Sequence, residues 1–463
     1  MENILTIHNN DNVYINLSNG HKYAAKDIKT GENIIKYGFP IGHATSDIKK
    51  DEHVHSHNVK TNLSDMSEYI YKYKDYGIKK STTDITVKAY VRYNGEVGIR
   101  NDIFIVNTVG CINKTAQIIA EKCSVKYFSH PFGCSQLGDD MKITQHILAG
   151  LVKHPNAGGV LVLGLGCENN NIDVFKETLG EYNPQRVRFL NCQDCEDEIA
   201  EAENIINELK ILVSKDVRTD VPVSKIKIGL KCGGSDGYSG ITANPLVGSL
   251  CDKFVQAGGC CALTEVPEMF GAEHLLMERC KNAEVFKKCV NMINGYKKYF
   301  IDHNQPIYEN PSPGNKKGGI TTLEEKSLGC VQKGGISPVN DVISYGEYIS
   351  TPGLTLVNGP GNDLVAVTNL ACAGAHIVLF TTGRGTPFGG PVPTLKISTN
   401  SQLAQKKSNW IDFDAGRLLS GASMEDLSNE LFDLVKDVIE GKEALNEKNG
   451  FNEISIFKDG VTL

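Results

Sequence analysis

Two groups of side chains in this sequence have the type and spacing to do chemistry. The first is thiol. Cys134 stands in His130-Pro131-Phe132-Gly133-Cys134-Ser135-Gln136, Cys167 in Gly164-Leu165-Gly166-Cys167-Glu168, and Cys232 in Lys231-Cys232-Gly233-Gly234-Ser235-Asp236. Each lies in a glycine-containing turn, and three such turns suggest one site assembled from distant pieces of chain. The second group is imidazole. Half of the twelve histidines, His8, His21, His43, His53, His55 and His57, fall within the first 64 residues. In His53-Val54-His55-Ser56-His57 three of them alternate, so on a strand they share one face. Imidazole suits Zn, Fe, Cu and Ni. The plain alternatives are an exposed polar strand end for the histidines and packing at tight turns for the cysteines. Cys192 and Cys195 alone have Cys-x-x-Cys spacing. With no second pair, no nearby histidine and no thioredoxin-type unit around them, redox exchange fits poorly.

The elements that must position these side chains read as α/β. Residues 139–153 have helical spacing of Ile143, Ile147, Leu148 and Leu151, with Asp139 as N-cap. The apolar run 160–163 looks like a buried parallel strand, which puts Cys167 just past a strand end, where open α/β sheets bind ligands. Cys232 follows a similar run, 226–230. The small unit 1–64 reads as β-rich, from the alternation at 13–17 and the turn signals Asn19-Gly20, Thr30-Gly31 and Phe39-Pro40. Residues 65–85, rich in Tyr and Lys, read as a linker. Strand–helix alternation over 86–215 and 225–463 predicts two α/β units with mainly parallel sheets. The stretch 216–224 reads as a connector, 310–319 as an extended loop without helix, and 272–293 as a single helix.

Composition narrows the function classes. The chain has 463 residues, 40% hydrophobic and 22% charged, with net charge −7. That is ordinary for a globular enzyme and lacks the basic surface of a nucleic-acid binder. Apolar runs are too short to span a membrane. Fourteen cysteines and an N-terminus without a signal pattern point to a reducing, cytoplasmic compartment. No Walker or dinucleotide spacing appears, so nucleotide binding is not expected.

Several loops together resemble the altronate and galactarate dehydratase family of sugar-acid hydro-lyases. The matching residues are Gly95-Glu96-Val97-Gly98-Ile99-Arg100-Asn101, the Cys134, Cys167 and Cys232 loops above, Pro313-Gly314-Asn315-Lys316-Lys317-Gly318-Gly319, and Thr381-Thr382-Gly383-Arg384-Gly385-Thr386-Pro387-Phe388-Gly389. Gly20-His21-Lys22 and Lys36-Tyr37-Gly38 resemble the family's small SAF-type domain. The resemblance covers almost the whole chain. It implies an iron-dependent enzyme, some members accepting manganese. The His130–Gln136 wording and the histidine run look more like altronate- than galactarate-acting members. The implied reaction is D-altronate to 2-dehydro-3-deoxy-D-gluconate plus water, in galacturonate breakdown. Rival expectations are galactarate dehydration, expulsion of sulfite from sulfolactate, or a non-catalytic metal- or sugar-acid-binding role.

Such chemistry removes a proton beside a carboxylate and expels a hydroxyl. It needs a Lewis acid at the carboxylate, a base and an acid. Two ligand sets present themselves. Cys134, Cys167 and Cys232, with Cys111 as a fourth, would suit an iron–sulfur cluster or a structural metal. His21, His53, His55 and His57 would suit mononuclear Fe(II) or Mn(II), provided the small domain folds over the body or over a second subunit of a dimer. The choice between them stays open. Base and acid candidates are His21, Lys22, His130, Lys316 and Lys317, the last two also fitting a solvated loop. Arg384 is a natural carboxylate fork. Ser235, Asp236, Asn315 and Gln136, in the matching loops, are expected around the small-molecule substrate.

Overall fold

The computed structural model describes residues 3–64, 66–79, 81 and 85–463. Its N-terminal unit is strand-rich, and parallel sheets follow. Two small antiparallel sheets make the N-terminal unit. One orders Ile4–Leu5, Val13–Asn16, Lys22–Ala24 and His53–Val54; the other orders Asn33–Lys36, Phe39–Ala44 and Val59–Lys60. Alternation along Lys22–Ala24 turns Lys22 and Ala24 inward, with Tyr23 on the other face.

The second unit is a parallel sheet in the order Lys126–Phe128, Asp102–Asn107, Ala157–Gly164 and Val187–Asn191. The helix expected over 139–153 runs Gly138–Val152, and Leu137 rather than Asp139 takes the cap position. Asp139 and Asp140 lie in the first turn, where a carboxylate meets the positive end of the helix dipole. Asp140 is buried and accepts the N–H groups of Asp459 and Gly460 at 2.9 and 2.8 Å, which fastens the C-terminal tail.

Seven parallel strands make the third unit. Their order is Val339–Ile343, Gly353–Val357, Cys260–Leu263, Lys227–Cys232, Ile377–Thr382, Thr394–Ser398 and Phe413–Asp414. Three expectations need correction. The connector 216–224 contains the strand Thr219–Pro222, antiparallel to Thr86–Val91, so the two ends of the second unit are zipped together. The helix expected over 272–293 is two, Glu273–Met277 and Ala283–Asp302. Between them Lys281 N–H donates to Val339 O (3.0 Å) and Val339 N–H to Arg279 O (2.9 Å), because the sheet edge there needs partners. The loop 310–319 contains a short helix, Pro313–Lys317, with Ser312 and Asn315 in a capping box.

The stretch read as a linker crosses the third unit in its described parts, held by tyrosines. Tyr71 hydroxyl donates to Cys280 O at 2.7 Å and Tyr69 to Glu273 at 2.5 Å. One hydrophobic core joins the first and third units, bringing Val13, Ile34, Ile41 and Val54 together with Leu323 and Leu328. Among the described residues no helix is long and apolar enough to cross a membrane.

The second and third units meet at two buried imidazoles. His154 Nε2 lies 3.1 Å from Ala375 O, and His376 Nε2 lies 2.7 Å from Val97 O. Each Nδ1 accepts a backbone N–H, from Asn156 and Lys227. Burial is the main force holding both down to about 3, followed by His376 for His154 and by Lys227 for His376. The unfolded chain takes up these protons near 6.5, whereas the fold resists until near 3. Stability is therefore full above about pH 6.5 and falls as pH drops below it, by up to about 1.4 kcal/mol per pH unit for each histidine. Urea midpoints at pH 7.5 and 5.5 check this. The expected result is a clear fall, which His376→Asn reduces; an unchanged midpoint would contradict it.

Candidate active site at the seam of the first and third units

What faces the seam is decided by a close backbone approach. A Cβ on Gly237 would lie 1.9 Å from Gly20 O, and one on Gly319 would lie 2.6 Å from it. Only glycine permits this contact. It sets His21 against the end of the Pro313–Lys317 helix, with its ring bonded to the Lys317 backbone. His55 Nε2 lies 2.8 Å from Lys316 O, and its Nδ1 accepts Ser56 N–H at 2.6 Å. His21 Nδ1 and His53 Nε2 are 3.0 Å apart. Ring centroids of His21, His53 and His55 lie 5.1–5.5 Å apart, and exposed His57 stacks 5.6 Å from His53. Burial first, then His21, His55, His57 and Lys22, push His53 down to about 4. Burial likewise lowers His21 and His55. His21, His53 and His55 are thus neutral near pH 7, the state in which imidazole binds metal.

Beneath it lies a buried ion triad. Glu325 accepts Lys22 and Lys36, each at 2.8 Å, and all three side chains are at most 2% exposed. Burial pushes the Glu325 carboxyl up, and the two ammonium groups more than reverse this, leaving it at about 2. Burial draws Lys22 down to about 8, opposed by Glu325 and aided by Lys36. Lys22 Nζ also donates to Gly319 O at 2.9 Å.

The loop after the central strand Lys227–Cys232 joins this seam. Asn315 Nδ2 donates to Ser235 O at 2.8 Å, and its Oδ1 accepts Lys326 Nζ at 3.2 Å. Asp236 is a loop pin: its carboxylate accepts Thr399, Ser239, Asn400 and the Tyr238 N–H at 2.9–3.2 Å, and burial raises it. Arg384 N–H bonds to Gly234 O at 3.0 Å, while its exposed guanidinium makes no hydrogen bond or ion pair with any described residue. The same holds for the Lys316 and Lys317 ammonium groups. A cavity bounded by Lys36, Tyr37, Ser235, Asp236 and Glu325 measures about 10 Å³, enough for one water. His57, Lys317 and Arg384 are exposed on the outer rim of this seam.

The expected thiolate set separates. Cys232 is buried, its Sγ 3.4 Å from Cys330 Sγ, 3.4 Å from Glu268 Oε2 and 2.9 Å from Lys333 Nζ. Cys111, Cys134 and Cys167 are exposed on loops of the second unit. His130 and Gln136 lie with them. His130 is buried, its Nε2 bonded to Asn107 O (2.9 Å) and its Nδ1 accepting Phe132 N–H (3.2 Å), so neither nitrogen is free for proton transfer. Among the described residues the one group of three or more His, Cys, Asp or Glu ligand atoms within 4.8 Å of one another is Cys232, Glu268 and Cys330.

Sequence reading missed Lys36, Glu325, Lys326, Glu268, Cys330 and Lys333. The helix Leu323–Cys330 is buried at every residue, including Glu324, Glu325 and Lys326. Charged residues buried in this way leave no amphipathic signature. The one local signal was Thr322 three residues before Glu325, and Thr322 does cap that helix.

Comparison with known proteins accounts for this assembly. Residues 15–62 match the altronate/galactarate dehydratase SAF domain, 89–214 the D-galactarate dehydratase/altronate hydrolase second domain, and 223–462 the D-galactarate/altronate dehydratase C-terminal domain. Those matches define a hydro-lyase, an enzyme that eliminates water. The chain is 53% identical over 458 residues to altronate dehydratase of Escherichia coli (strain K12), covering 96% of this chain and 92% of that protein. It is 52% identical over 459 residues to altronate dehydratase of Bacillus subtilis (strain 168), with the same coverage. It is 30% identical over 470 residues to galactarate dehydratase (L-threo-forming) of E. coli, covering 95% and 89%. The chain belongs to the altronate/galactarate dehydratase family.

The triad makes a stability prediction. Glu325→Gln leaves two buried ammonium groups facing a neutral amide and is expected to cost about 3–5 kcal/mol in urea unfolding. Replacing all three, Lys22→Met, Lys36→Met and Glu325→Leu, should cost less than that single change. The opposite order would show that the charges do not act as one unit.

Proposed function

We propose that the chain dehydrates D-altronate to 2-dehydro-3-deoxy-D-gluconate, a step in galacturonate breakdown, using a divalent ion held at the seam. The observation that carries this reading is the facing pair His21 Nδ1 and His53 Nε2, 3.0 Å apart, with His57 stacked beside them. Two nitrogens each ~2.1 Å from one ion lie about 3 Å apart, so the pair fits a shared metal. His21 and His53 would hold it, with His57 stacked beside His53 rather than within ligand distance of both. His55, with both ring nitrogens bonded, steadies the set, and the Lys317 backbone fixes the His21 tautomer. Fe(II) or Mn(II) suits such ligands. Bound there, it would polarise the substrate carboxylate and stabilise the charge that develops when C2 loses its proton.

The rest falls to the chain. Arg384 receives the carboxylate on the exposed rim. Lys316 and Lys317 have no carboxylate partner of their own. One binds the substrate's anionic end, and Nζ of the other, in its amine form, takes the C2 proton and returns it to the departing C3 hydroxyl, so that water leaves. Lys22 stays with Glu325 and Gly319 and keeps His21 in register. The greater likeness to the altronate dehydratases favours altronate over galactarate.

The test is an anaerobic assay of metal-loaded enzyme on altronate, galactarate and sulfolactate, following the 2-keto product. Altronate should be turned over fastest, and His53→Ala should lose both bound ion and activity. Of Lys316→Ala and Lys317→Ala, one should lower kcat about 10²–10⁴-fold with KM retained, and the other should mainly raise KM. Loaded enzyme inert toward altronate would sink this reading.

A further inference from the structure

The carboxyl edge of the second unit's sheet carries a feature that the seam does not use. Of the fourteen cysteines, all unpaired, three are exposed and two half-buried. The exposed ones are Cys111, Cys134 and Cys167, and the half-buried ones are Cys192 and Cys195. All five follow carboxyl ends of the four parallel strands Asp102–Asn107, Lys126–Phe128, Ala157–Gly164 and Val187–Asn191. Cysteine is normally among the most buried residues. Here its exposure is confined to one sheet edge, the place where such sheets bind ligands.

The loops bearing the exposed thiols are stitched to one another. Gly110 N–H donates to Phe132 O at 2.9 Å, which ties the Cys111 loop to the Cys134 loop. Asn170 N–H donates to Gly133 O at 2.9 Å. Asn169 Oδ1 accepts both Ser135 N–H (2.9 Å) and the Cys134 thiol (3.3 Å), which ties the Cys134 loop to the Cys167 loop. Gly133, at φ +101, lies so close to Thr108 that a Cβ would fall 1.9 Å from its carbonyl oxygen. The buried Glu168 carboxylate accepts the N–H groups of Leu165 and Gly166. Gln193 Nε2 donates to Cys167 Sγ at 3.4 Å.

A second observation points to a ligand. Three amide side chains of these loops, Asn107, Gln136 and Asn170, are no more than 5% exposed. Each uses one end to brace a loop: Asn107 to Asn113, Gln136 to Gly133 N–H, and Asn170 to Thr108 O. The other ends, Asn107 Oδ1, Gln136 Nε2 and Asn170 Oδ1, are buried without a partner among the described residues. Buried polar atoms left so call for an explanation.

We propose that Cys111, Cys134 and Cys167 bind an iron–sulfur cluster at this edge, leaving one iron open to an oxygen ligand. Thiolates around a single ion, each ~2.3 Å from it, lie within about 4 Å of one another. These three do not meet within 4.8 Å. A cluster spreads its ligands further apart and takes three cysteines with one open position. The Gln193 amide supplies a hydrogen bond to a ligating sulfur, a contact that tunes cluster potential. The site is distinct from the imidazole seam, and its test does not depend on dehydration.

Full-length protein, reconstituted anaerobically with Fe(II) and sulfide, is assayed for iron, acid-labile sulfide and visible charge-transfer absorption. The expected result is bound sulfide with that absorption. Both should fall to background in Cys111→Ser, Cys134→Ser and Cys167→Ser, each keeping its far-UV circular dichroism, and both should persist in Cys195→Ser. His53→Ala should lose the seam ion yet keep the sulfide, which separates failure here from failure of the dehydratase reading. Absence of sulfide from the wild type, iron bound without sulfide, or sulfide retained by the triple serine variant would overturn the proposal.

Discussion

One carboxylate, Glu325, shared by the Lys22 and Lys36 ammonium groups, fixes how the small β unit sits on the rest of the chain. Lys22 and Lys36 belong to different sheets of that unit, and Glu325 to a helix nearly 300 residues further along. Burying three charges is expensive unless they meet in good geometry. The arrangement therefore tolerates little sliding. The apolar contact of Val13, Ile34, Ile41 and Val54 with Leu323 and Leu328 supplies attraction without direction. The triad supplies the direction, and the glycine contact of Gly20 with Gly237 and Gly319 sets the distance. Because Lys22 points inward from its strand, the neighbouring His21 is left to face His53 and the Lys316–Lys317 backbone. The site geometry thus follows from an ion triad that touches no substrate.

Much of this was legible in the sequence, and the parts that were not share a cause. The parallel sheets announced themselves as apolar runs, and the β unit as short alternating pieces. Residues picked for chemistry at the seam, from His21 and His53 to Asn315, Lys316, Lys317 and Arg384, stand on neighbouring segments. The resemblance of the loops to one enzyme family carried the functional reading further than any spacing could. Pattern failed where tertiary pairing overrode local preference. Thr219–Pro222 becomes a strand only because Thr86–Val91 lies beside it, and the break after Met277 exists because Val339 needs partners. It failed again where charge is buried. A helix reading Leu-Glu-Glu-Lys-Ser-Leu-Gly-Cys gives no hint that every residue will be enclosed. Cys232 looked like the fellow of Cys134 and Cys167, since all three follow strands and sit near glycines. It belongs to a different sheet, and nothing local to a cysteine says which sheet its strand will join.

The surroundings of Cys232 also show why donor type alone does not make a cation site. Cys232, Glu268 and Cys330 lie within 4.8 Å of one another, a set of soft and hard donors that a metal could use. Two ammonium groups already serve them, and a third, Lys231, pairs with the adjoining Glu265. Lys333 Nζ is 2.9 Å from Cys232 Sγ and 3.2 Å from Glu265, Lys326 is 2.9 Å from Glu268, and Lys231 bonds Glu265 and lies 2.9 Å from Asp363. Counting these side chains, three positive charges balance Glu265, Glu268 and Asp363. Burial opposes the charge on Lys231, Lys326 and Lys333, yet the neighbouring anions hold all three above the ordinary lysine value. Burial raises the Glu268 carboxyl, and Lys326, Lys231 and Lys333 more than reverse it. Cys330 is held well above the ordinary thiol value, by its bond to Cys232 first and by burial second. A divalent ion would have to displace ammonium groups from a volume with no spare room and strip the proton from the Cys330 thiol, which the environment keeps protonated. At the seam, burial keeps His21, His53 and His55 neutral, and Lys22 is turned away toward Glu325. That charge accounting makes the interior cluster a brace for the third unit and sets it apart from the seam, where the imidazoles have no ammonium bonded to them.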